Sequence, residues 1–215
     1  MAEFAEVVRA RRMTRAFDTR PVPAGLLEQL VDLGSRAPSA GKTQGWHLVV
    51  LEGPDTSRFW DITLPPMRRG AFRWKRLLDA PVIAIPLADP RAYVERYSEA
   101  DKRASGLGAG TEAWPAPYWT VDTSMSVMTM LLAAEDVGLG ALFFGIFRGE
   151  RELRRILAIP TFMQILGAIA LGYPAPVESS SGSDDTNPGG KGRSAPRARR
   201  TPDEIIHRGS WRPPP

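Results

Sequence analysis

Gly138-Leu139-Gly140-Ala141-Leu142-Phe143-Phe144-Gly145-Ile146 is the stretch on which the fold turns. It follows the strongest helical signal in the chain, residues 122–137. There Met125, Met128, Leu131, Leu132 and Glu135 share one side, Asp122 can cap the start and Gly138 can end the helix. Residues 141–147 then read as a strand. The glycines resemble a dinucleotide-binding turn, but that turn needs a strand before it and a helix after it, and here the order is reversed. Gly145, inside the predicted strand, signals close approach of another backbone or of a flat ligand. On the N-terminal side, helical spacing covers 2–12 (Phe4, Val7, Val8, Arg11) and 24–36, where Pro38 marks the stop. Asp89-Pro90 starts a helix to about Lys102, a short one runs over 151–157, and Thr201-Pro202-Asp203-Glu204 is a capping box opening a helix to about His207. Strands are predicted at 46–51, at 80–88 (weakened by Pro86) and at 164–173. The alternation is less regular than in a doubly wound fold. The expectation is α+β, a three-layer α/β sandwich.

Composition bounds the chemistry. The chain has 215 residues, 43% of them apolar, enough to bury a real core in one domain. Zero Cys excludes a disulfide scaffold, Cys-ligated zinc or iron–sulfur and thiol catalysis. With only His47 and His207, a multi-His metal site is excluded as well, so no metal is expected. No apolar run reaches the roughly 20 residues of a membrane span. The opening MAEFAEVV lacks a basic n-region and a long apolar core, so the expected location is cytoplasmic, with no membrane partner. The net charge of +4 is uneven: residues 191–212 carry +5 and residues 1–190 carry −1. The organisation expected is a domain over 1–177, a low-complexity linker over 178–195, and a basic segment with a short helix over 196–215 that completes the same domain.

Several stretches could carry function. Arg11, Arg12 and Arg15 can converge where the first helix unwinds, and guanidinium forks suit phosphate, although a solvated basic helix end reads the same way. Residues 37–46 (APSAGKTQGW) join a helix to a strand and offer the Ser39 hydroxyl, the Gln44 amide and close backbone approach at Gly41. Residues 106–119 (GLGAGTEAWPAPYW) form a Gly/Pro loop loaded with aromatics. Arg197, Arg199 and Arg200 precede the C-terminal capping box, where a helix N-terminus favours anions.

Taken together, RRMTRAF, APSAGKTQGW, GLGALFFGI and the C-terminal R-x-R resemble the nitroreductase family of FMN-dependent oxidoreductases over nearly the whole chain. The resemblance implies a central, mostly antiparallel sheet flanked by helices, in an intertwined homodimer with FMN at its interface. It implies that Arg11, Arg12, Met13 and Arg15 hold the FMN phosphate and the polar edge of the ring. Pro38, Ser39 and Ala40 would line the phosphate or ribityl chain, and Gln44 the ring. Phe144 and Gly145 would pack on the ring, and Arg197 and Arg199 would close over the phosphate. Trp114, Tyr118 and Trp119 are candidates for a roof over a planar substrate, or for a plug on the dimer surface. Three positions depart from the family pattern: Met13 replaces Ser, Lys42 replaces Asn, and Gly45 replaces Pro.

With no Cys, no Gly-x-Ser-x-Gly elbow and two His, the protein offers little for covalent catalysis, so a cofactor that carries the chemistry fits the residues present. No catalytic acid or base is nominated. The expected function is an FMN-dependent enzyme that takes hydride from NADH or NADPH and reduces a small planar acceptor, a nitroaromatic or a quinone. One alternative keeps the flavin in a dedicated biosynthetic or dehalogenating reaction. Another, of a different class, is a non-catalytic protein with a nucleic-acid-binding tail. The near-neutral body makes nucleic acid the poorer expectation.

Overall fold

The computed structural model describes residues 3–176 and 197–211. Eight α-helices and five strands alternate along these residues. In chain order they are α1 (Phe4–Ala10), α2 (Ala24–Gly34), β1 (Trp46–Glu52), α3 (Ser57–Thr63), α4 (Pro66–Arg69), β2 (Val82–Ala88), α5 (Pro90–Ser98), α6 (Tyr118–Asp136), β3 (Gly140–Phe144), α7 (Glu150–Ile156), β4 (Gln164–Ile165), β5 (Ala168–Gly172) and α8 (Pro202–Ile205). The sheet runs β1-β2-β5-β3, with β4 also paired to β2, and every pairing is antiparallel. That is the α+β class expected.

Period-two alternation along β2 explains the three layers. Ile83, Ile85 and Leu87 face one core cluster with Phe17, Phe59, Leu142 and Leu153; Val82 and Ala84 face the other with Leu30, Val127, Met130 and Leu131. Both faces of β2 are buried, and so it reads as an unbroken apolar run. Helices α3 and α7 pack together beside the first cluster, while α2 and α6 pack together over the second.

Pro86 sits inside β2 without breaking it. It lies opposite Leu48 of β1, and its carbonyl accepts from Leu166 N at 3.1 Å. On that second side β2 changes partner from β5 (at residues 82–84) to β4 (at residues 87–88), so the missing N–H falls where the ladder is already interrupted. The same interruption splits the predicted 164–173 strand at Gly167. Its φ is +147°, and a Cβ there would lie 2.5 Å from the Phe144 carbonyl. The Asp89 cap forms as predicted, its carboxylate accepting Arg91 N at 2.9 Å and Ala92 N at 3.4 Å. Helices α3 and α4 carry no clear signal in the sequence. The seven residues of α3 have no side-chain cap, and burial of Phe59 and Trp60 holds them, a tertiary cause that leaves no periodic trace.

Asp122 needs correction. It is not the cap of α6, which starts four residues earlier at Tyr118. Gly145 lies just past the end of β3 rather than inside it, and is exposed. The predicted linker 178–195 lies outside the described residues.

Candidate functional site

The arginine-bearing segment leaves α1 and runs along the outer edge of β3. Met13 bridges Ala141 in parallel, and Thr14 N donates to the Ala141 carbonyl at 2.9 Å. The approach is tight: a Cβ on Gly140 would lie 2.6 Å from Thr14 Oγ1. Met13, which stands where the family pattern has Ser, packs against both core clusters, so a hydroxyl is exchanged for apolar contact that fixes this segment. The structure thereby brings the residue 11–15 stretch beside the strand that ends in Phe144.

Arg11 is half-buried, and its Nε and Nη1 atoms are inaccessible to solvent with no hydrogen-bond partner. Unsatisfied buried guanidinium donors are costly in a folded protein, and an anion would satisfy them. Arg12 is exposed. Arg15 donates Nη1 to the Met13 carbonyl at 3.0 Å, and its guanidinium lies 5.5 Å from the centre of the Trp74 ring. The Arg73 guanidinium lies 5.8 Å from the same ring. Burial first, and then repulsion from Arg73, holds the Arg15 pKa below its ordinary value. Arg73 and Trp74 belong to no motif that sequence reasoning picks out. The basic run of Arg68, Arg69, Arg73, Lys75 and Arg76, with no acidic residue among them, is the signal that could have found them.

Phe144 is set by aromatic packing. Its ring stacks on Trp60 (centroids 5.9 Å, interplanar 5°) and meets Phe59 edge-on at 5.9 Å, and Phe59 and Trp60 are themselves edge-to-face at 5.0 Å. The Phe147 ring leans over Gly145, 3.0 Å from where a Cβ would be.

The 38–44 loop joins α2 to β1. Pro38 and Gln44 are exposed, and Ser39 and Ala40 are half-buried. Gly41 (φ +61°), Lys42 (+56°) and Gln44 (+54°) are all left-handed. Two of the three are not glycine, which is strain concentrated in a few residues. Ser39 Oγ accepts the Gln44 amide at 3.0 Å and closes the turn. Asn tolerates this backbone region better than Lys. Lys42→Asn is therefore expected to raise stability by about 0.5–1 kcal/mol, read as a higher urea midpoint. Gly45 has its own reason. A Cβ there would lie 2.8 Å from the Tyr93 ring and 3.1 Å from Ala92 Cβ, so the proline of the family pattern would not fit.

The aromatic residues divide. Trp114 is buried at 8% exposure, packs edge-on against Tyr93 and Tyr97, and donates Nε1 to the Leu107 carbonyl at 3.0 Å. From that position it cannot stack on a substrate, which corrects its nomination as a roof residue. Trp119 is half-buried, with Nε1 bonded to Gln164 Oε1 at 3.0 Å, and Tyr118 is exposed.

Arg197 and Arg199 are exposed, as is every described residue from 197 to 211. The capping hydrogen bonds of this segment are internal. Glu204 accepts the Thr201 amide at 2.6 Å in the predicted capping box, and α8 is a single turn. No hydrogen bond or ion pair among the described residues ties these arginines to the Arg11 segment within one chain. Among the described residues no helix is long and apolar enough to cross a membrane.

Comparison with known proteins gives a consistent result. The sequence model of the Nitroreductase family matches residues 8–173. A Thermus thermophilus protein named NADH dehydrogenase is 34% identical over 182 residues, covering 77% of this chain and 83% of that one. An Archaeoglobus fulgidus protein, provisionally named NADH dehydrogenase/NAD(P)H nitroreductase, is 26% identical over 98% of this chain and 100% of its own. A Desulfovibrio desulfuricans protein assigned as a nitroreductase and solved in complex with FMN has the same fold, with a TM-score of 0.64 at 21% identity over 99% of both chains. The antiparallel sheet between two helical layers, the arginine segment bridged to β3 and the match over residues 8–173 agree: this chain belongs to the nitroreductase family.

Proposed function

We propose that this protein is an FMN-dependent oxidoreductase that draws on NADH or NADPH and reduces a small planar acceptor, a nitroaromatic or a quinone. The observation that carries the reading is Arg11, whose two buried, unpartnered guanidinium nitrogens fit an anionic cofactor. Arg12, Arg15, and Pro38, Ser39 and Ala40 at the start of the left-handed turn would complete the phosphate and ribityl contacts. Gln44, Phe144 and Gly145 would border the ring. When bound, FMN supplies the two-electron chemistry, exchanging a hydride equivalent with the nicotinamide and with the acceptor. The chain's own part is to bind and orient the cofactor, to hold an apolar wall at Phe144 and to keep cationic charge near the cofactor's polar groups.

A homodimer fits the same reading. Helix α6 carries apolar residues on its solvent-facing side as well as on its buried one. Val121 and Met128 stay exposed on its outer side, and Phe4 and Val8 are exposed on the adjoining α1. Such a helix belongs between layers, and a second copy of the chain supplies the missing one. Arg197 and Arg199, exposed and, among the described residues, not bonded to the Arg11 segment of their own chain, would then serve the partner's cofactor. Tyr118 and Trp119 remain candidate acceptor contacts.

Titration of the purified protein with FMN, followed by flavin absorption and fluorescence, tests the proposal. Saturable binding and NADH- or NADPH-dependent reduction of a quinone or nitroaromatic are expected. Absence of any FMN binding would overturn it. Val121→Glu combined with Met128→Glu should shift the protein from dimer to monomer in light scattering.

A further inference from the structure

The cofactor-side loop is held in its strained shape from below, at two points that no sequence motif marks. Asp122 of α6 is 5% exposed, and its Oδ2 accepts two hydrogen bonds, from Ala40 N at 2.8 Å and from Tyr93 Oη at 2.8 Å. One residue further along the turn, the Gly41 carbonyl accepts Arg96 Nε at 2.9 Å. Arg96 is itself fixed as a fork: Nη1 and Nη2 bind Asp101 at 2.7 and 2.8 Å, and Nη1 also reaches Glu99 at 3.0 Å. Tyr97 fills the remaining side, since a Cβ on Gly41 would come within 2.8 Å of its ring.

We infer that Asp122 and Arg96 are positioning residues, a two-point clamp that holds the 40–44 turn, with Gly41, Lys42 and Gln44 left-handed, and so prepares the loop for FMN. The inference rests on the functional reading above. Left-handed Lys42 and Gln44 are unfavourable on their own, and persist only where the surroundings over-determine them. The clamp supplies that determination. It fixes the amide before the turn and the carbonyl within it, from helices α6 and α5. Burial, and next the bond to Asp122, push the Tyr93 hydroxyl pKa far up, so Tyr93 stays a donor to the carboxylate. Because Arg96 is held by Asp101 and Glu99, which lie just ahead of the Gly-rich and aromatic stretch, the loop depends on residues that do not touch it.

The test combines FMN titration with amide hydrogen exchange of the FMN-free protein. Asp122→Ala and Arg96→Ala should each weaken FMN binding about tenfold and lose protection at residues 40–44 while β2 and β5 stay protected. Asp122→Asn keeps an acceptor oxygen and should stay within about threefold of the parent. Asp101→Ala, remote from the loop, should shift FMN affinity in the same direction as Arg96→Ala, and by less. If Asp122→Ala proves too unstable, Arg96→Ala and Asp101→Ala carry the test. Unchanged loop protection and unchanged FMN affinity in Arg96→Ala and Asp101→Ala would overturn the clamp. If the parent protein binds no FMN, the functional reading fails, and the exchange pattern still decides whether the clamp holds the loop.

Discussion

Arg11→Ala is expected to weaken FMN binding by about 10–100-fold, the effect of about 1.5–3 kcal/mol lost with a charge-assisted hydrogen-bond pair. Its signature is that the FMN-free protein should not become less stable. Nε and Nη1 of Arg11 are buried without partners, so in the absence of an anion they carry a desolvation cost with no return. Truncation removes that cost, and the urea midpoint of the FMN-free variant should stay level or rise. Opposite signs for ligand affinity and ligand-free stability mark a residue kept for binding. A parallel fall in both would assign Arg11 to the fold and remove the main support for the proposed cofactor site.

Phe59→Ala carries the largest expected loss of stability, about 3–5 kcal/mol by chemical denaturation, as for a buried phenylalanine cut to alanine. Phe59 is fully buried in the core cluster beside β2 and lies edge-on to both Trp60 and Phe144. Its removal leaves a cavity behind the stacked Trp60–Phe144 pair, so the ring nominated to border the cofactor loses its backing. Phe59→Leu separates the two consequences. It should keep most of the stability while loosening Phe144, read as a larger change in FMN affinity than in urea midpoint. Equal FMN affinity in the parent and the leucine variant would show that Phe144 does not depend on this packing.

Much of the frame is legible in the chain itself. The helix ending at Gly138 and the strand after it correctly exclude a dinucleotide-binding turn, since β3 begins at Gly140. The Asp89 cap and the Thr201 to Glu204 box declare their helices within four residues of chain, because capping is a local bond. The site is less legible. Trp114 reads as a surface aromatic because it sits in a Gly/Pro loop, yet a carbonyl for its indole N–H and two tyrosine rings draw it inside. Asp122 reads as a cap because capping is the commonest local use of an aspartate beside a helix.

Periodicity, and with it the class of the fold, resides in the amino-acid order: β2 apolar on both faces, α2 amphipathic, and charge gathered at the C-terminal end. The motifs that point to the family reside there too. Which polar groups meet is settled only when the layers pack. Asp122 accepts from Ala40, 82 residues away, and Arg96 reaches Gly41 across 55. The difference is one of range. Propensity and capping act over a few neighbours, whereas a polar group taken out of water must find whichever partner the packed layers bring to it.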